Sequence, residues 1–223
     1  MDENGRHEIK HHISRADRLI LMARLPRVMK PDEFSSRDGG YRVRSLYFDD
    51  YNDTALNEKL AGVDNREKFR LRLYNGDASF IRLEKKSKRA GLCYKEKAAI
   101  SREACDALIG GDYSVLKEAG ELPLELYAKM RGQNLRPKII VDYWREAYVY
   151  PACNARVTVD SDLRSSSSLH AFTRPQLAAV PAQSGCILEV KFDGFLPDVI
   201  RALLSPLGRE PSSFSKYAAT RMT

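Results

Sequence analysis

Short runs in which charged and apolar residues alternate are the main pattern of this 223-residue chain. The clearest is Lys-Phe-Arg-Leu-Arg-Leu-Tyr, which begins at Lys68. Similar runs begin at Phe80 and Cys93, and turn residues around Gly76 and Gly91 separate the three runs. Because successive side chains of a strand point to opposite faces, each run predicts a strand with one basic face and one apolar face. The short turns between them predict an antiparallel meander.

Further alternating runs predict strands outside the meander. These strands cover residues 6–13, 41–49, 139–150 and 187–191, and one more begins at Arg156. The complete set is about eight or nine strands, and strands with mostly short connections tend to close into a barrel because closure removes exposed edges. We therefore predict an α+β fold: a closed antiparallel β-barrel of about eight strands, flanked by helices, in a single domain over residues 1–223.

Helical periodicity predicts the flanking helices. Ser14 is a candidate N-cap, and the helix after it is expected to turn Leu19, Ile20 and Ala23, with Met22, toward a core. Further helices are predicted within residues 53–60, 101–134 and 196–207, with a last short helix capped by the segment 212–217.

Composition narrows the classes of partner. The chain has 37 Lys and Arg against 30 Asp and Glu, a net charge of +7, so anionic partners are expected. Its four cysteines are scattered without a C-x-x-C pair, which favours buried or idle thiols. No apolar run approaches the ~20 residues of a membrane-spanning helix, and the N-terminus shows no secretory signal. We therefore expect a soluble cytoplasmic protein.

The basic face of the predicted sheet is more one-sided than a face that only meets solvent. Solvent-facing surfaces usually mix both signs, and like charges on neighbouring strands repel each other, so an anionic ligand is expected there. The charged positions assigned to this face are Glu8, Lys10, Arg70, Arg72, Arg82, Glu84, Lys86, Lys95, Lys97, Arg145, Arg156, Glu189 and Lys191. The few carboxylates among them could hold a hard divalent metal through oxygen.

Two classes of partner are not expected. A nucleic-acid surface interleaves basic residues with exposed aromatic ones, whereas aromatic residues such as Phe69 fall mostly on the apolar face here. A membrane-surface protein needs a cationic amphipathic helix with bulky apolar residues, and the sequence shows none.

Nine short motifs, taken in their order along the chain, resemble those of one family. They are Arg6-x-Glu8-x-Lys10, Tyr41-x-Val43-x-Ser45-Leu46-Tyr47-Phe48-Asp49, Lys68-x-Arg70-x-Arg72-x-Tyr74, Leu83-Glu84-x-Lys86, Lys95-Glu96-Lys97, Tyr143-x-Arg145, Arg156-x-Thr158-x-Asp160, Leu188-Glu189-x-Lys191 and Ser215-Lys216-Tyr217. Together they resemble the VTC domain, the polyphosphate polymerase module of the vacuolar transporter chaperone complex. Its wider superfamily is the triphosphate tunnel metalloenzymes, which include the CYTH phosphatases.

The resemblance implies a phosphotransferase that moves the γ-phosphate of ATP to a growing polyphosphate chain inside a basic β-tunnel, with Mn²⁺ or Mg²⁺. The catalytic phosphate ligands it implies are Lys10, Arg70, Arg72, Lys86, Arg145, Arg156 and Lys216. Further substrate contacts are expected at Lys95, Lys97, Arg82, Tyr143, Lys191 and Ser215. Glu189 would hold the metal, and Glu84 and Glu8 on the same face are further candidates. The expected partners are ATP and pyrophosphate or polyphosphate.

One departure from the superfamily pattern bears on the reaction. Hydrolytic members open with Glu-x-Glu-x-Lys, but Arg6 replaces the first acid here, which favours the polymerase branch. A tripolyphosphate or nucleoside triphosphate hydrolase stays open as the alternative enzyme. A non-catalytic polyphosphate-binding module stays open as the alternative without chemistry. The chain also lacks the SPX domain and membrane segments of eukaryotic VTC proteins, so a stand-alone form is expected.

Overall fold

The alternating runs of the sequence form the strands of one sheet. The structure is a computed structural model that describes residues 7–36, 38–90, 92–205 and 212–222. The strands are β1 (His7–Ile13), β2 (Lys30–Pro31), β3 (Tyr41–Asp49), β4 (Arg66–Tyr74), β5 (Asp77–Arg89), β6 (Leu92–Ile100), β7 (Arg136–Tyr150), β8 (Ala155–Ser166), β9 (Val180–Pro181) and β10 (Cys186–Phe192). Arg6, predicted as part of the first strand, lies outside the described residues.

Helices flank this sheet. They are α1 (Arg15–Arg24), α2 (Thr54–Leu60), α3 (Arg102–Ile109), α4 (Glu121–Gly132), α5 (Asp198–Leu204) and α6 (Lys216–Arg221). The α+β class and the flanking helices are therefore as predicted. None of the helices in the described ranges combines the length and the apolar character needed to cross a membrane.

The sheet is curled but open, which corrects the predicted closed barrel. Its eight main strands run in the order β1-β10-β8-β7-β3-β4-β5-β6, with every neighbouring pair antiparallel. In the described part of the chain, β1 and β6 end this order and do not pair with each other. Side chains span the gap instead, because Lys86 Nζ of β5 lies 2.8 Å from Glu8 Oε2 of β1. Alternation determines which face a side chain takes, but it does not determine whether the outermost backbones meet.

Two apolar clusters hold the helices against the convex face of the sheet. The first joins β3, β4 and β5 to α3 and α4, with Leu71, Leu83 and Leu126 fully buried. The second joins β8 and β10 to α1 and α5 around Val157 and Ile200. The apolar face of these strands is thus used for packing. The opposite face of the curled sheet carries polar side chains together with a third buried cluster, which includes Val43, Val141 and Tyr217.

Helix α1 begins where the sequence predicts and buries a different face. Ser14 accepts a hydrogen bond from the backbone N–H of the third helical residue, which confirms it as the N-cap. The expectation that Leu19, Ile20 and Ala23 face the core is wrong, because all three are exposed. Leu21 is buried instead, because the side of the helix that carries Leu21 packs against β8, β10 and α5. Of the predicted residues, only Met22 packs against this cluster, and it is partly buried.

Candidate functional site

The inner face of the curled sheet, called the concave face below, collects the predicted site residues from separate strands. They are Glu8 and Lys10 on β1, Arg70 and Arg72 on β4, Arg82, Glu84 and Lys86 on β5, Lys95 and Lys97 on β6, Tyr143 and Arg145 on β7, Arg156 on β8, and Glu189 and Lys191 on β10. Helix α6 adds Lys216. Most of these side chains form three clusters, each of which has cations grouped around one or two carboxylates.

Glu84 is the centre of the first cluster. Its buried carboxylate accepts hydrogen bonds from Arg70 Nε at 2.8 Å and Lys95 Nζ at 2.5 Å, and Arg72 Nη1 lies 3.6 Å away. Burial alone would raise the pKa of Glu84, but these three cations hold that pKa below its usual range. Burial lowers the pKa of Lys95 to about 7 despite its contact with Glu84. Because three cations share one carboxylate, the cluster carries excess positive charge.

Asp160 is the centre of the second cluster. Arg145 donates to it from Nε and Nη2 at 2.6 and 2.7 Å, and Lys216 Nζ lies 2.5 Å away. Both cations also lie over the ring of Tyr143, 5.3 and 4.8 Å from its centroid. The Tyr143 hydroxyl accepts a weak hydrogen bond from Arg72 Nη2 at 3.5 Å, which links the first two clusters. Sequence reasoning placed Asp160 on this face but did not assign it a role.

Helix α6 is fastened to the sheet in a way that holds Lys216 in place. Ser215 is its N-cap and accepts a hydrogen bond from the first turn of the helix, so its predicted substrate contact stays a prediction. The Tyr217 hydroxyl donates to Asp49 Oδ2 at 2.6 Å, and the Tyr217 ring stacks on Tyr47 with centroids 5.1 Å apart. The last motif of the chain is thus docked on the end of β3.

Tyr47 and Lys68 belong to the site, although sequence reasoning did not choose them. The Tyr47 hydroxyl accepts a hydrogen bond from Arg70 Nη1 at 3.0 Å, and Lys68 Nζ lies 5.8 Å from the Tyr47 ring centroid. Burial would raise the pKa of Tyr47, but Arg70, Lys68 and Arg72 lower it to about 7. Burial lowers the pKa of Lys68 to about 7 as well. The available signal was alternation, which already placed Lys68 beside Arg70 and Arg72.

Glu8 and Glu189 form the third cluster, on the neighbouring strands β1 and β10. Lys10 Nζ lies 2.5 Å and Lys86 Nζ 2.8 Å from the Glu8 carboxylate. Lys191 Nζ lies 2.8 Å from Glu189 Oε1 and 3.7 Å from Glu8 Oε2. Burial would raise the pKa of both carboxyl groups, but the surrounding lysines lower it, so both stay ionised.

The residues predicted to hold a metal differ in how well they fit one. Glu8 and Glu189 lie against the same ammonium group, so a cation is already within reach of both. Mg²⁺ commonly takes one or two carboxylates together with substrate phosphate oxygens, and these two residues fit that pattern. Glu84 would first have to release Arg70 and Lys95. Within the described ranges, no group of three or more His, Cys, Asp or Glu could hold a metal by itself.

Arg156 and Thr158 carry polar atoms without a partner. Arg156 Nη2 donates to the Tyr41 hydroxyl at 2.9 Å and pairs closely with Asp32. Arg156 Nε and the buried Thr158 hydroxyl find no hydrogen-bond partner in the described part of the chain. Buried polar groups are rarely left unpaired, so these two groups are available to the oxygens of a ligand.

Arg82 and Lys97 lie on the predicted face at the margin of the clusters. The Arg82 guanidinium lies over the Phe80 ring, 4.5 Å from its centroid. Lys97 is exposed and lies opposite Glu84 in the pairing of β5 with β6. Both positions can meet a ligand that extends beyond the three clusters.

Comparison with known proteins adds a family and a fold. A family model described as the VTC domain matches residues 5–223. A solved structure of a protein from Bacillus halodurans, provisionally named an adenylate cyclase, has a TM-score of 0.57 at 13% identity and covers 96% of both chains. A second protein of that provisional name, from Vibrio parahaemolyticus, has a TM-score of 0.54 at 10% identity and covers 98% of both chains. At these identities the likeness shows the fold alone. No curated protein matches the chain.

Proposed function

This chain belongs to the VTC domain family, as its motifs predict, and we propose that it transfers the γ-phosphate of ATP to a polyphosphate chain. The observation that supports this most is the charge of the concave face. Arginines and lysines from several strands and from α6 share the carboxylates of Glu84, Asp160 and Glu189. A row of phosphates is a ligand that would satisfy so many guanidinium and ammonium donors at once.

Bound phosphates would join or replace the internal carboxylates as partners of these cations. Arg70 and Arg145 present planar forks that can bind two phosphate oxygens each. Lys86 and Lys10 now share Glu8 across the open side of the sheet. A polyanion lying between the two edges would relieve the repulsion among these cations and would draw the edges together.

Glu189, with Glu8 beside it, is the proposed ligand of Mg²⁺ or Mn²⁺. A metal bound there would neutralise charge on the phosphate oxygens and act as a Lewis acid. The chain prepares these carboxylates by keeping them ionised, because Lys191 and Lys10 lower the pKa of Glu189.

In the proposed reaction, a terminal oxygen of the acceptor chain attacks the γ-phosphorus of ATP. A new P–O bond forms as the bond between the γ-phosphorus and the β–γ bridging oxygen breaks, and ADP leaves with that electron pair. The attacking oxygen is already ionised, so the step requires positioning and charge neutralisation more than a protein base. Arg70, Arg145 and Lys216 are the residues proposed to neutralise the transferring group.

Incubation of the protein with ATP and Mn²⁺ tests this function. We expect long polyphosphate chains on a gel, with one ADP released for each phosphate transferred. The Arg70→Ala variant should form no chains. Lys85→Met is the matched control, because Lys85 is a buried cation on the convex face, held by Glu125, and it should retain activity wherever it folds.

Other products of the same assay would contradict the proposal in distinct ways. Free phosphate without chains would indicate a hydrolase in which water is the acceptor. Cyclic AMP with pyrophosphate would indicate the activity for which the two structural neighbours are named. Tight binding of tripolyphosphate without any turnover, even with metal, would indicate a binding module.

A further inference from the structure

One end of the concave face is lined with aromatic rings. Phe34 follows β2, Tyr41 begins β3 and Tyr74 ends β4. The rings of Phe34 and Tyr74 are stacked, with centroids 5.8 Å apart and planes inclined by 6°. Tyr41 meets both rings edge-on at 6.3 and 5.8 Å. Tyr41 is buried, whereas Phe34 keeps 44% of its surface exposed. The Phe34 ring is therefore partly open to solvent and is held in place by the two tyrosine rings.

Phe80 and Arg82 lie at this same end. Arg82 on β5 lies opposite Arg72 on β4 in the strand pairing. Two positions further toward this end of the sheet are Phe80 on β5 and Tyr74 on β4. Phe80 is 48% exposed, and the Arg82 guanidinium carbon lies over its ring, 4.5 Å from the centroid. We call Phe34, Tyr41, Tyr74 and Phe80 the aromatic mouth.

The aromatic mouth is joined directly to the proposed phosphate ligands. The Tyr41 hydroxyl accepts a hydrogen bond from Arg156 Nη2 at 2.9 Å. Arg156 also pairs with Asp32, whose Oδ1 accepts a hydrogen bond from the backbone N–H of Phe34 at 3.1 Å. Arg145 lies opposite Tyr41 in the pairing of β3 with β7. A ligand that touches Phe34 is therefore close to the first phosphate-binding arginines.

The other end of the same strands is basic. Lys68 pairs with Lys86 between β4 and β5, and the next positions outward on the same face are Arg66 and Lys88. The nearby Lys59 has a pKa lowered first by burial and then by Arg66 and by lysines of this end. The concave face is thus polarised, with rings at one end and crowded cations at the other.

We propose that the aromatic mouth is the subsite for the base of a nucleoside triphosphate, with the base stacked on Phe34. Its phosphates would run from Arg145 and Arg156 along the concave face toward Lys68 and Lys86. The proposal rests on the proposed function, because it assigns the base of the donor nucleotide to one end of that same site. Every nucleobase has a π-face, so stacking alone implies little preference among the four bases.

The aromatic mouth suits a base better than a further phosphate. Stacking removes apolar area of both rings from water and uses the preferred offset geometry of aromatic pairs. Arg82, whose guanidinium lies over the Phe80 ring, adds a planar cation of the kind that packs on bases. A phosphate would instead favour the crowded lysines at the opposite end.

Titration of the Phe34→Leu variant with ATP and with tripolyphosphate separates the base from the phosphates. Leu keeps an apolar side chain and loses the ring. We expect the Kd for ATP to rise roughly tenfold and the Kd for tripolyphosphate to change less than about twofold. Phe195→Leu is the matched control, because Phe195 is an exposed ring before α5, and it should change neither Kd.

A second variant reports stacking directly. In a Trp144→Phe background, which removes the single natural tryptophan, Phe34→Trp should lose fluorescence on addition of ATP and keep it on addition of tripolyphosphate. Equal weakening of both ligands by Phe34→Leu, or no weakening of ATP, would overturn the subsite. Failure of the unmodified protein to bind either ligand would overturn the proposed function, and the subsite with it.

Discussion

Lys85 and Lys86 are neighbours on one strand and lie in opposite electrostatic settings. Lys85 is on the convex face, where Glu125 holds it at 2.6 and 2.8 Å and Glu96 lies 3.3 Å away. Lys86 is on the concave face, where its partner Glu8 is also shared with Lys10. The two lysines show that one face matches its cations with acids inside the protein, whereas the other leaves them short of negative charge.

Arginines show the same contrast. Arg44, on the convex face, pairs with Asp142 and donates to the backbone carbonyls of Phe172 and Arg174. Arg70, on the concave face, shares Glu84 with Arg72 and Lys95. We infer that convex charges contribute mainly to the fold, and that concave charges contribute mainly to binding.

The largest effect is expected on the convex face, on stability. Arg44→Met removes a buried cation and leaves the carbonyl groups of the segment 171–175 without their donor. Breaking a buried pair commonly costs about 3–5 kcal/mol, so urea denaturation should show a loss of about 3 kcal/mol. The Kd of the folded fraction for tripolyphosphate should stay within about twofold. A stable variant with lost binding would contradict the division between the faces.

The reverse result is expected for Arg70→Ala on the concave face. A hydrogen bond to a charged group contributes about 1.5–3 kcal/mol, so calorimetry should show tripolyphosphate binding weakened by about 10- to 100-fold. Stability should change little, because the loss of the Glu84 contact is offset by relief of repulsion from Arg72 and Lys95. The opposite result would contradict this expectation: a variant that is unfolded without ligand and that, once tripolyphosphate has refolded it, binds tripolyphosphate with unchanged affinity.

A smaller effect is expected from pH. Lys68, Lys95 and Tyr47 each have a pKa of about 7, so each loses a proton as the pH rises from 6 to 8. An anion favours the protonated forms, because all three changes remove positive charge or add negative charge. Affinity should therefore fall with rising pH, by at most about tenfold for each group that titrates fully.

Sulfate is the suitable probe for this experiment, because its own charge is constant over the range. Competition of sulfate against a bound fluorescent anion gives the Kd for sulfate at pH 6 and at pH 8. The slope is the change in log Kd per pH unit. The Lys68→Met variant should show a shallower slope than the unmodified protein. An affinity that rises with pH would contradict the assigned pKa shifts.

The smallest effect is expected at the margin of the site. Lys97 is exposed, and exposed ion pairs contribute about 0–1 kcal/mol and are screened by salt. Lys97→Ala should therefore weaken tripolyphosphate binding by less than about threefold at low salt, with no difference at high salt. A larger loss that persists in salt would place Lys97 with the inner cations.

Much of this division could be predicted from the sequence, because alternation is a local property. It placed Arg70, Arg72 and Glu84 on one face and Leu71 on the other, and the structure agrees. The metal ligands, the phosphate contacts and the cytoplasmic location stay predictions. The aromatic content of the basic face was underestimated, since Tyr41, Tyr47, Tyr74 and Tyr143 lie there with Arg70 and Arg156.

Other features depend on long-range packing, which local patterns do not encode. Sheet closure depends on whether the first and last strands of the order meet. In the described part of the chain they do not pair, and the Lys86 side chain of β5 reaches Glu8 of β1 across the gap. The docking of α6 depends on Tyr217 reaching Asp49, which is 168 positions away in the sequence. The exposure of Leu19 depends on which side of α1 meets β8 and β10.

Titration of tripolyphosphate into the Lys85→Met and Lys86→Met variants tests the central claim most directly. The two variants make the same change at adjacent positions on opposite faces. The account predicts that Lys86→Met binds tripolyphosphate several-fold more weakly with unchanged stability, and that Lys85→Met binds as the unmodified protein does but unfolds at lower urea. Equal effects on binding, or stronger loss from Lys85→Met, would contradict the claim that the concave face is the ligand site.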